Sequence, residues 1–333
     1  MSRCRGLERT IIAACVVALC ARSHVVAQAD RTSSRDQTAI GLRSRPVALN
    51  PSDPTQDHVG AFTYAGGLEI SGAGTARLHG LSDLAVLSDD HLVAVTDEGD
   101  VFEARLVLDG RGRLSDVVDG RLSRLVGLDR KPLRGKRRAD AEGLAVMPNG
   151  DRLVSFERDH RIWRYAASGA APVRVPLPAA VFPPNEGIEA LALYPPAGPN
   201  VYLAGSEAGK VWLCNTADGC RATKLAAMIP AGFALTAMAT YSNDGSLALL
   251  GRAYDAKQGP RAVVRLLAPR ALNAPRVLAE LLIDAPLTRD NFEGIAAVPQ
   301  PGGALRVYLM SDDNFSPTQH TYLLAFDWIG PTR

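Results

Sequence analysis

Several signals of familiar enzyme chemistry are missing from this 333-residue sequence. It contains no Gly-x-Ser-x-Gly nucleophile elbow, no His-Glu-x-x-His motif and no phosphate-binding Gly-Lys-Ser/Thr loop. The six histidines form no pair with the spacing of metal ligands. A serine-hydrolase mechanism therefore has no support in the sequence.

Long apolar runs are missing as well, apart from one near the start of the chain. Thr10–Ala21 is apolar but too short to cross a membrane, and three arginines precede it. Ala27-Gln28-Ala29 has the small-x-small pattern of a cleavage site. We therefore expect residues 1–29 to be a cleaved signal peptide and the mature protein to be periplasmic or secreted. Lipid attachment at Cys15 is the alternative.

Cysteine is rare after this leader, and the net charge is low. Only Cys214 and Cys220 remain, on either side of a turn-rich segment, and an oxidising compartment favours a disulfide between them. Two unpaired thiols are the alternative. Removal of the leader changes the formal net charge from +2 to −1. The mature chain thus lacks a general electrostatic footprint for nucleic acid.

The mature chain has the length of one large domain. Residues 30–57 are rich in Ser, Arg, Asp and Pro, which predicts a flexible lead-in, and residues 58–333 are expected to form the domain. No later apolar run is long enough to span a membrane. We expect a soluble monomer.

A short phrase recurs through this domain. Its clearest copies are Asp140–Val146, Gly187–Leu193 and Asn291–Ala297, and its weaker copies are Leu81–Val86 and Leu235–Thr240. Taking positions 83, 142, 189, 237 and 293 as equivalent gives steps of 59, 47, 48 and 56 residues. Repeats of this length are typical of a four-stranded propeller blade and are longer than those of helical solenoids.

A second apolar run follows each phrase, and turn residues such as Asn149-Gly150 separate the two. Third runs follow, including Ile162–Tyr165 and Val211–Cys214. Short strands with regular spacing predict an all-β fold, here a single β-propeller. The last unit has only three strands, and a strand near Phe62–Tyr64 is expected to complete it and close the ring. We count five four-stranded blades; six are the alternative.

Charged residues occur where each inner strand begins and where the next strand ends. These places lie at one end of a propeller, called the mouth below. The first, second, third and fifth blades bring acids there, and the fourth blade brings Arg252. The expected mouth acids are Asp83, Asp97, Glu142, Glu157, Glu189, Glu207, Glu293 and Asp312, with Asp313 beside the last.

So many carboxylates would repel one another unless a cation neutralised them. Ca²⁺ takes about six to eight oxygen ligands, so we predict that the eight mouth acids from Asp83 to Asp312 bind Ca²⁺ or another divalent cation. Arg252 can neutralise part of the ring through paired hydrogen bonds. In the alternative, each acid caps its own turn by accepting backbone hydrogen bonds.

A basic run, Arg130–Arg138, enters the second copy of the phrase. Blade geometry places it at the same mouth, where Lys136, Arg137 and Arg138 would attract a small anionic substrate such as a phosphate ester. A solvated loop is the alternative.

Three segments carry a resemblance to a known family. They are Asp140–Ala145, Asn291–Ala296, and Ser311-Asp312-Asp313-Asn314-Phe315 followed by Gln319-His320-Thr321. They resemble the exported bacterial phytase-like proteins named "esterase-like activity of phytase". The resemblance runs from about Gly66 to Trp328. It implies a β-propeller, export, and hydrolysis of esters or phosphate esters.

The sequence departs from the family pattern at three places. Gly251-Arg252 stands where Glu-Arg is usual, Glu189-Ala190 where Glu-Gly is usual, and Asp140-Ala141-Glu142 where Asp-Pro-Glu is common.

The pattern of acidic residues and the family resemblance together predict a catalytic and substrate-binding site at the mouth. The candidate catalytic residues are Glu142, Glu189, Arg252, Glu293, Asp312, Asp313 and Asn314. The candidate substrate-binding residues are Lys136, Arg137, Arg138, Gln319 and His320. One hypothesis is a metal-assisted phosphoesterase or esterase. The other is a non-catalytic propeller that binds a ligand or protein at the same mouth.

Overall fold

The structure is a computed structural model that describes residues 37–87, 89–268, 272 and 274–330. The expected signal peptide, residues 1–29, lies outside these residues.

Almost all of the regular structure in the described chain is antiparallel strand, arranged as five blades. Four strands precede the first complete blade: β1 (Thr38–Ala39), β2 (Gly41–Pro46), β3 (His58–Val59) and β4 (Phe62–Ala73). Blade 1 contains β5 (Leu81–Val86), β6 (His91–Thr96), β7 (Asp100–Leu108) and β8 (Leu114–Arg124). Blade 2 contains β9 (Ala141–Val146), β10 (Arg152–Phe156), β11 (Arg161–Tyr165) and β12 (Val173–Val175).

The remaining blades follow the same order from the channel outward. Blade 3 contains β13 (Ile188–Leu193), β14 (Val201–Ser206), β15 (Val211–Asn215) and β16 (Gly219–Ala222). Blade 4 contains β17 (Ala234–Thr240), β18 (Leu247–Asp255), β19 (Gly259–Leu267) and β20 (Val277–Ile283). Blade 5 contains β21 (Asn291–Pro299), β22 (Ala304–Asp312) and β23 (Tyr322–Ile329) with β4.

Helices are short in the described residues. One α-helical turn, α1 (Lys136–Ala139), precedes blade 2. Three 3₁₀ turns cover Pro195–Ala197, Leu225–Met228 and Pro301–Gly303. None of these helices is long and apolar enough to cross a membrane.

Strand β4, from the N-terminal part of the chain, closes the ring. β4 pairs with β23, with Leu68 opposite Leu323 and Phe62 opposite Trp328. This pairing supplies the fourth strand of blade 5 and leaves no gap between the first and last blades. The prediction of five four-stranded blades closed by a strand near Phe62–Tyr64 is confirmed.

The segment expected as a lead-in contains two strands within its described part. β1 pairs with the outer strand β8 of blade 1, with Thr38 opposite Leu122. β2 pairs with β4, with Gly41 opposite Ala73. Residues 38–46 are thus joined to the propeller by backbone hydrogen bonds.

Buried apolar side chains of the described residues form five clusters, one between each pair of neighbouring blades. Strand β14 shows how alternation produces this arrangement. Tyr202 and Ala204 face blade 2, whereas Leu203 faces blade 4. Because successive side chains of a strand point to opposite faces, each blade packs against both neighbours.

The predicted disulfide is present. Cys214 and Cys220 lie directly opposite each other on β15 and β16 and are bonded. A disulfide is compatible with an exported protein.

Candidate functional site

Each inner strand carries a one-residue β-bulge near its start. In blade 3, Ile188 pairs with Ser206 and Ala190 with Gly205, so Glu189 is left out of the ladder. The same shift occurs in the other four blades. Bulges redirect side chains and are common beside active sites. The bulge residues are Ser82, Glu142, Glu189, Thr236 and Glu293.

This register corrects the sequence alignment in two blades. The alignment placed Asp83 and Ala237 at the position of the three glutamates, and in both cases it is wrong by one residue. Ser82 and Thr236 occupy that position.

The five bulge residues line one cavity together with Glu207 and Arg252. Its volume is about 10 Å³, which suits one water molecule or one ion. Glu142, Glu189 and Glu293 therefore meet at one place. An organic substrate would have to bind above this cavity, at the mouth.

Arg252 neutralises one side of the cavity. Its Nη1 donates to Asn291 Oδ1 at 2.7 Å and to Glu293 Oε1, and its Nη2 donates to Glu207 Oε1 at 3.2 Å. Asn291 Nδ2 also donates to Glu293 Oε1, at 2.8 Å. Burial lowers the pKa of Arg252, but the charges of Glu293 and Glu207 outweigh it and raise that pKa. Arg252 thus links blades 3, 4 and 5 although residue 251 is glycine.

On the other side of the cavity, the negative charge of the glutamates is less well neutralised by cations. Burial raises the pKa of Glu142 well above its usual range, and the charges of Glu189 and Glu293 raise it further. Burial also raises the pKa of Glu189 to about 8, although its Oε1 accepts the Gly187 N–H at 3.0 Å. Within the described part of the chain, no ion pair is formed by Glu142 or Glu189, in contrast to Glu293. Negative charge is therefore disfavoured on this side unless a cation is bound.

A three-carboxylate cluster adjoins this side. One oxygen each from Asp140, Glu142 and Glu157 lies within 4.8 Å of the others, so a single ion could contact all three. Asp140 is already paired, with Lys136 Nζ at 2.7 Å and Arg158 Nε at 2.6 Å. Burial raises the pKa of Glu157 to about 7, and the charge of Asp140 adds to this. The negative charge of the cluster that no ion pair among the described residues neutralises therefore belongs to Glu142 and Glu157.

Thr236 presents an unsatisfied group to the cavity. Its Oγ1 is buried and has no hydrogen-bond partner among the described residues. A buried hydroxyl without a partner costs free energy. An occupant of the cavity that contacts Thr236 Oγ1 would remove this cost and would be stabilised by that contact.

Asp83 lies in the channel wall one residue beyond the bulge of blade 1, fully buried. Its Oδ1 accepts the Leu84 N–H and its Oδ2 accepts the Leu144 N–H of blade 2, each at 2.8 Å. Burial raises the pKa of Asp83 well above its usual range, and these hydrogen bonds oppose the rise. The carboxyl group links two inner strands and is not among the groups that line the described cavity.

Lys136 joins two acids at the mouth. Its Nζ contacts Asp97 as well as Asp140. Arg137 and Arg138 are exposed on the same helical turn. All three predicted substrate-binding cations are therefore exposed, and Lys136 is in addition held in an ion-pair network.

The Ser311–Phe315 segment forms a turn at the mouth end of β22. Asp312 Oδ1 accepts the Asn314 N–H at 2.8 Å. Burial raises the pKa of Asp312 to about 8, and the charge of Glu293 contributes. Asn314 and Phe315 both adopt left-handed backbone conformations, with φ of 48° and 53°. Two consecutive non-glycine residues in this region indicate a turn held by its surroundings.

Asp313 faces blade 1. Its Oδ2 lies 2.5 Å from His79 Nδ1, and its Oδ1 accepts the Gly80 N–H at 3.2 Å. The side chain thereby connects the last blade to the first.

Gln319 and His320 are placed around another acid. Gln319 Nε2 and the His320 N–H donate to Asp290, at 3.3 and 2.9 Å. The His320 ring stacks on Tyr322, with 5.2 Å between ring centroids. Both residues hold the turn before β23 against the start of β21.

Sequence reasoning missed four residues of this region: Ser82, Thr236, Asn291 and His79. The first two were hidden by the alignment error. Asn291 belongs to the phrase itself but was not assigned a role, and His79 carries no spacing signal because its partner is far along the chain.

A search of curated protein sequences gives no significant match. Among solved structures, a gluconolactonase from Xanthomonas campestris is 12% identical, with 88% of this chain and 99% of that chain covered and a TM-score of 0.43. A streptogramin B lyase is 11% identical, with 86% and 98% covered and a TM-score of 0.41. The WD40 repeats of RRP9 are 10% identical, with 85% and 100% covered and a TM-score of 0.41.

The phytase-like family model, described as "Esterase-like activity of phytase", matches residues 76–315. This range is well over half of the chain and contains all five bulge residues. The description supports a hydrolase-like propeller. The chain belongs to the phytase-like family.

Proposed function

We propose that this protein is an exported, metal-assisted hydrolase that cleaves a phosphate ester or another ester at the acidic mouth of its propeller. The observation that carries the proposal is the convergence of Glu142, Glu189 and Glu293 on one ion-sized cavity through a bulge in each blade. The family description supports hydrolysis of an ester. The disulfide and the leader pattern support export.

The residues present fit a hard divalent cation. Asp140, Glu142 and Glu157 would hold it, since their oxygens are close together and, among the described residues, Glu142 and Glu157 form no ion pair. Ca²⁺ prefers such oxygen ligands. The unpartnered Thr236 hydroxyl offers a further oxygen in the adjoining cavity. When bound, the ion would polarise the ester and lower the pKa of a bound water.

Other side chains would position the substrate. The cavity is too small for an organic molecule, so the ester would lie above it. Arg137 and Arg138 are exposed and are available to an anionic group of the substrate. Asp312, with its pKa raised to about 8, can give up or take a proton near neutral pH.

Two observations favour the non-catalytic alternative. Arg252 is committed to Glu207, Glu293 and Asn291. In addition, Glu189, Asp312 and Asp313 accept backbone hydrogen bonds, as turn-capping acids do. Contacts of this kind would also build a rigid rim for binding a ligand or protein.

The variant E142Q tests the metal. We expect Ca²⁺ to raise the melting temperature of the wild type, because a ligand bound only by the folded state stabilises it by about 2.7 kcal/mol at one hundred times its Kd. In E142Q this gain should be lost, while the melting temperature in chelator should rise, because folding no longer has to bury a charge or take up a proton at this position. The control is E280Q, which changes a glutamate paired with Arg265 on an outer strand.

Activity is measured in parallel on a panel of phosphate and carboxyl esters, with and without chelator, and metal content by elemental analysis. Activity that needs the ion and disappears in E142Q supports the proposal. A loss of about 1 kcal/mol in E142Q that is equal in both buffers, with no metal in the purified protein, would favour turn-capping acids and the binding propeller.

A further inference from the structure

A histidine–carboxylate pair joins the first and last blades at the mouth. Asp313 is fixed by four donors: His79 Nδ1 at 2.5 Å, the N–H groups of Gly80 and Phe315 at 3.2 Å, and Thr321 Oγ1 at 3.4 Å. The carboxylate is almost fully buried, whereas the His79 side chain is 40% exposed. The pair therefore has a rigid inner member and an accessible outer member.

This arrangement selects one form of the imidazole. A carboxylate accepts but does not donate, so neutral His79 carries its proton on Nδ1. Nε2, at the far side of the ring, is then the nitrogen with a free lone pair. The Phe315 ring lies beside the imidazole, with 5.4 Å between the ring centroids, and limits its rotation.

The pair lies at the same end of the blades as the acidic cavity. His79 precedes the cavity residue Ser82 by three positions, and Asp313 follows Asp312 directly. Gly80 also packs against Asp97, because a Cβ on Gly80 would lie 2.0 Å from Asp97 Oδ1. The left-handed turn of Asn314 and Phe315 brings the Phe315 N–H onto Asp313. The most distinctive segment of the sequence thus builds the support for a histidine of another blade.

We propose that His79 is the proton acceptor of the reaction and that Asp313 is its positioning residue; this rests on the proposed hydrolase function. Water forms a bond from its oxygen to the carbonyl carbon or phosphorus of the ester, and Nε2 takes the proton that water loses. The bond to the leaving oxygen then breaks, and that oxygen takes the proton back from Nε2. Ester and water become acid and alcohol, and His79 returns to its starting form.

The kinetic test compares H79A and H79Q with H58Q. His58 also contacts an aspartate, Asp57, at 2.5 Å, but it pairs with Thr63 at the opposite end of the propeller. With an ester that the wild type hydrolyses, H79A and H79Q should lower kcat by a factor on the order of 10² to 10⁴ with little change in KM, and H58Q should not. Added imidazole should restore part of the kcat of H79A, which it would not do for a purely structural histidine.

D313N separates positioning from proton transfer. It should lower kcat as the histidine variants do, because an amide can donate to Nδ1 and favour the other tautomer. Unchanged kcat in H79Q, or no rescue of H79A by imidazole in folded protein, would overturn the proposal.

An activity-independent readout keeps the two proposals apart. Nitrogen-15 NMR of the imidazole should show the proton on Nδ1 in the wild type and a changed tautomer in D313N. A wild type without esterase or phosphatase activity would contradict the hydrolase function, and NMR would still decide whether the pair exists. A proton on Nε2 in the wild type would overturn the role of His79 in either case.

Discussion

Arg252 is the one cationic residue among those that line the described cavity. It contacts two of the four cavity glutamates and the amide of Asn291, which itself donates to Glu293. Its side chain is 26% exposed, and that of Glu293 is 17% exposed. A pair this sheltered is poorly screened by water, so the loss of one member leaves the other without compensation.

R252A should therefore lower the free energy of unfolding by about 3–5 kcal/mol at pH 8, as measured by denaturant titration. The loss should shrink at pH 5, where Glu293 can take up a proton because burial raises its pKa. R105A is the control, since the Arg105 and Asp119 side chains are 54% and 66% exposed and such pairs contribute about 0–1 kcal/mol. A loss in R252A no larger than in R105A would contradict this account.

Single residues were the hardest part to predict from the sequence. Three glutamates were found because they recur in one phrase. Asp83 was grouped with them because of its charge, although its carboxyl group accepts backbone hydrogen bonds inside the channel wall. His79 depends on Asp313, and no local pattern connects residues from the first and last blades.

The packing of the inner strands explains why glycine follows the cavity glutamate in blades 2 and 5. A Cβ on Gly143 would lie 2.7 Å from the Glu189 backbone oxygen of the next blade and 2.8 Å from Ser155 Oγ. Gly294 is similarly close to blade 1. The bulge thus directs a glutamate to the cavity while the following glycine lets neighbouring inner strands approach.

G143A should destabilise the protein by about 1–3 kcal/mol, because the added methyl group must push two blades apart. It should also weaken the stabilisation by Ca²⁺, since Glu142 would move with the strand. G110A is the matched control, because a Cβ there meets no atom within 4 Å. Both are compared by melting temperature with and without Ca²⁺, and equal values for the two variants would refute the close-packing account.

The strands were easier to predict from the sequence than the roles of single residues, although the register of the inner strands of blades 1 and 4 was predicted wrongly by one residue. The apolar residues Leu84, Leu144, Leu191, Met238 and Ile295 hold equivalent places in the five ladders. Aligning these buried side chains would have placed Ser82 and Thr236 correctly, because burial constrains the register of a strand more than charge does. Strands β1 and β2 gave no signal, since their exposed or half-buried residues do not alternate in hydrophobicity.

At the scale of the whole molecule, the buried acids give stability an unusual pH dependence. Burial raises the pKa of Glu157 to about 7 and those of Glu189 and Asp312 to about 8, from usual values of 4.5 for Glu and 3.8 for Asp. Between these limits the folded state holds protons that the unfolded state has lost. Stability must therefore fall as pH rises through this window.

In chelator, the melting temperature should decrease from pH 5 to pH 8. In a separate buffer with Ca²⁺ the decrease should be smaller, because the ion binds the ionised carboxylates. Acids with a lowered pKa, such as Asp109 and Asp255, titrate below this window and do not cancel the effect. E142Q should flatten the curve in chelator. A melting temperature in chelator that rises with pH would show that the acids are compensated in another way.

The overall architecture was predicted almost completely, including the blade number, the closing strand and the disulfide. Each follows from a repeated or local pattern: phrases about one blade apart, an incomplete last unit, and two cysteines around a turn. The network of Arg252, Asn291, Glu207 and Glu293 spans three blades, and its pairings depend on three-dimensional packing.

The closing strand also orders the folding of the chain. Blades 2, 3 and 4 consist of consecutive strands, so their hairpins can form from nearby residues. Pairing of β4 with β23 instead requires closing a loop of nearly the whole domain, which costs entropy and is slow. Until then, the edge of β23 and the apolar faces of blades 1 and 5 remain open to other chains. A newly made chain thus passes through an aggregation-prone stage that ends only when these two distant strands meet.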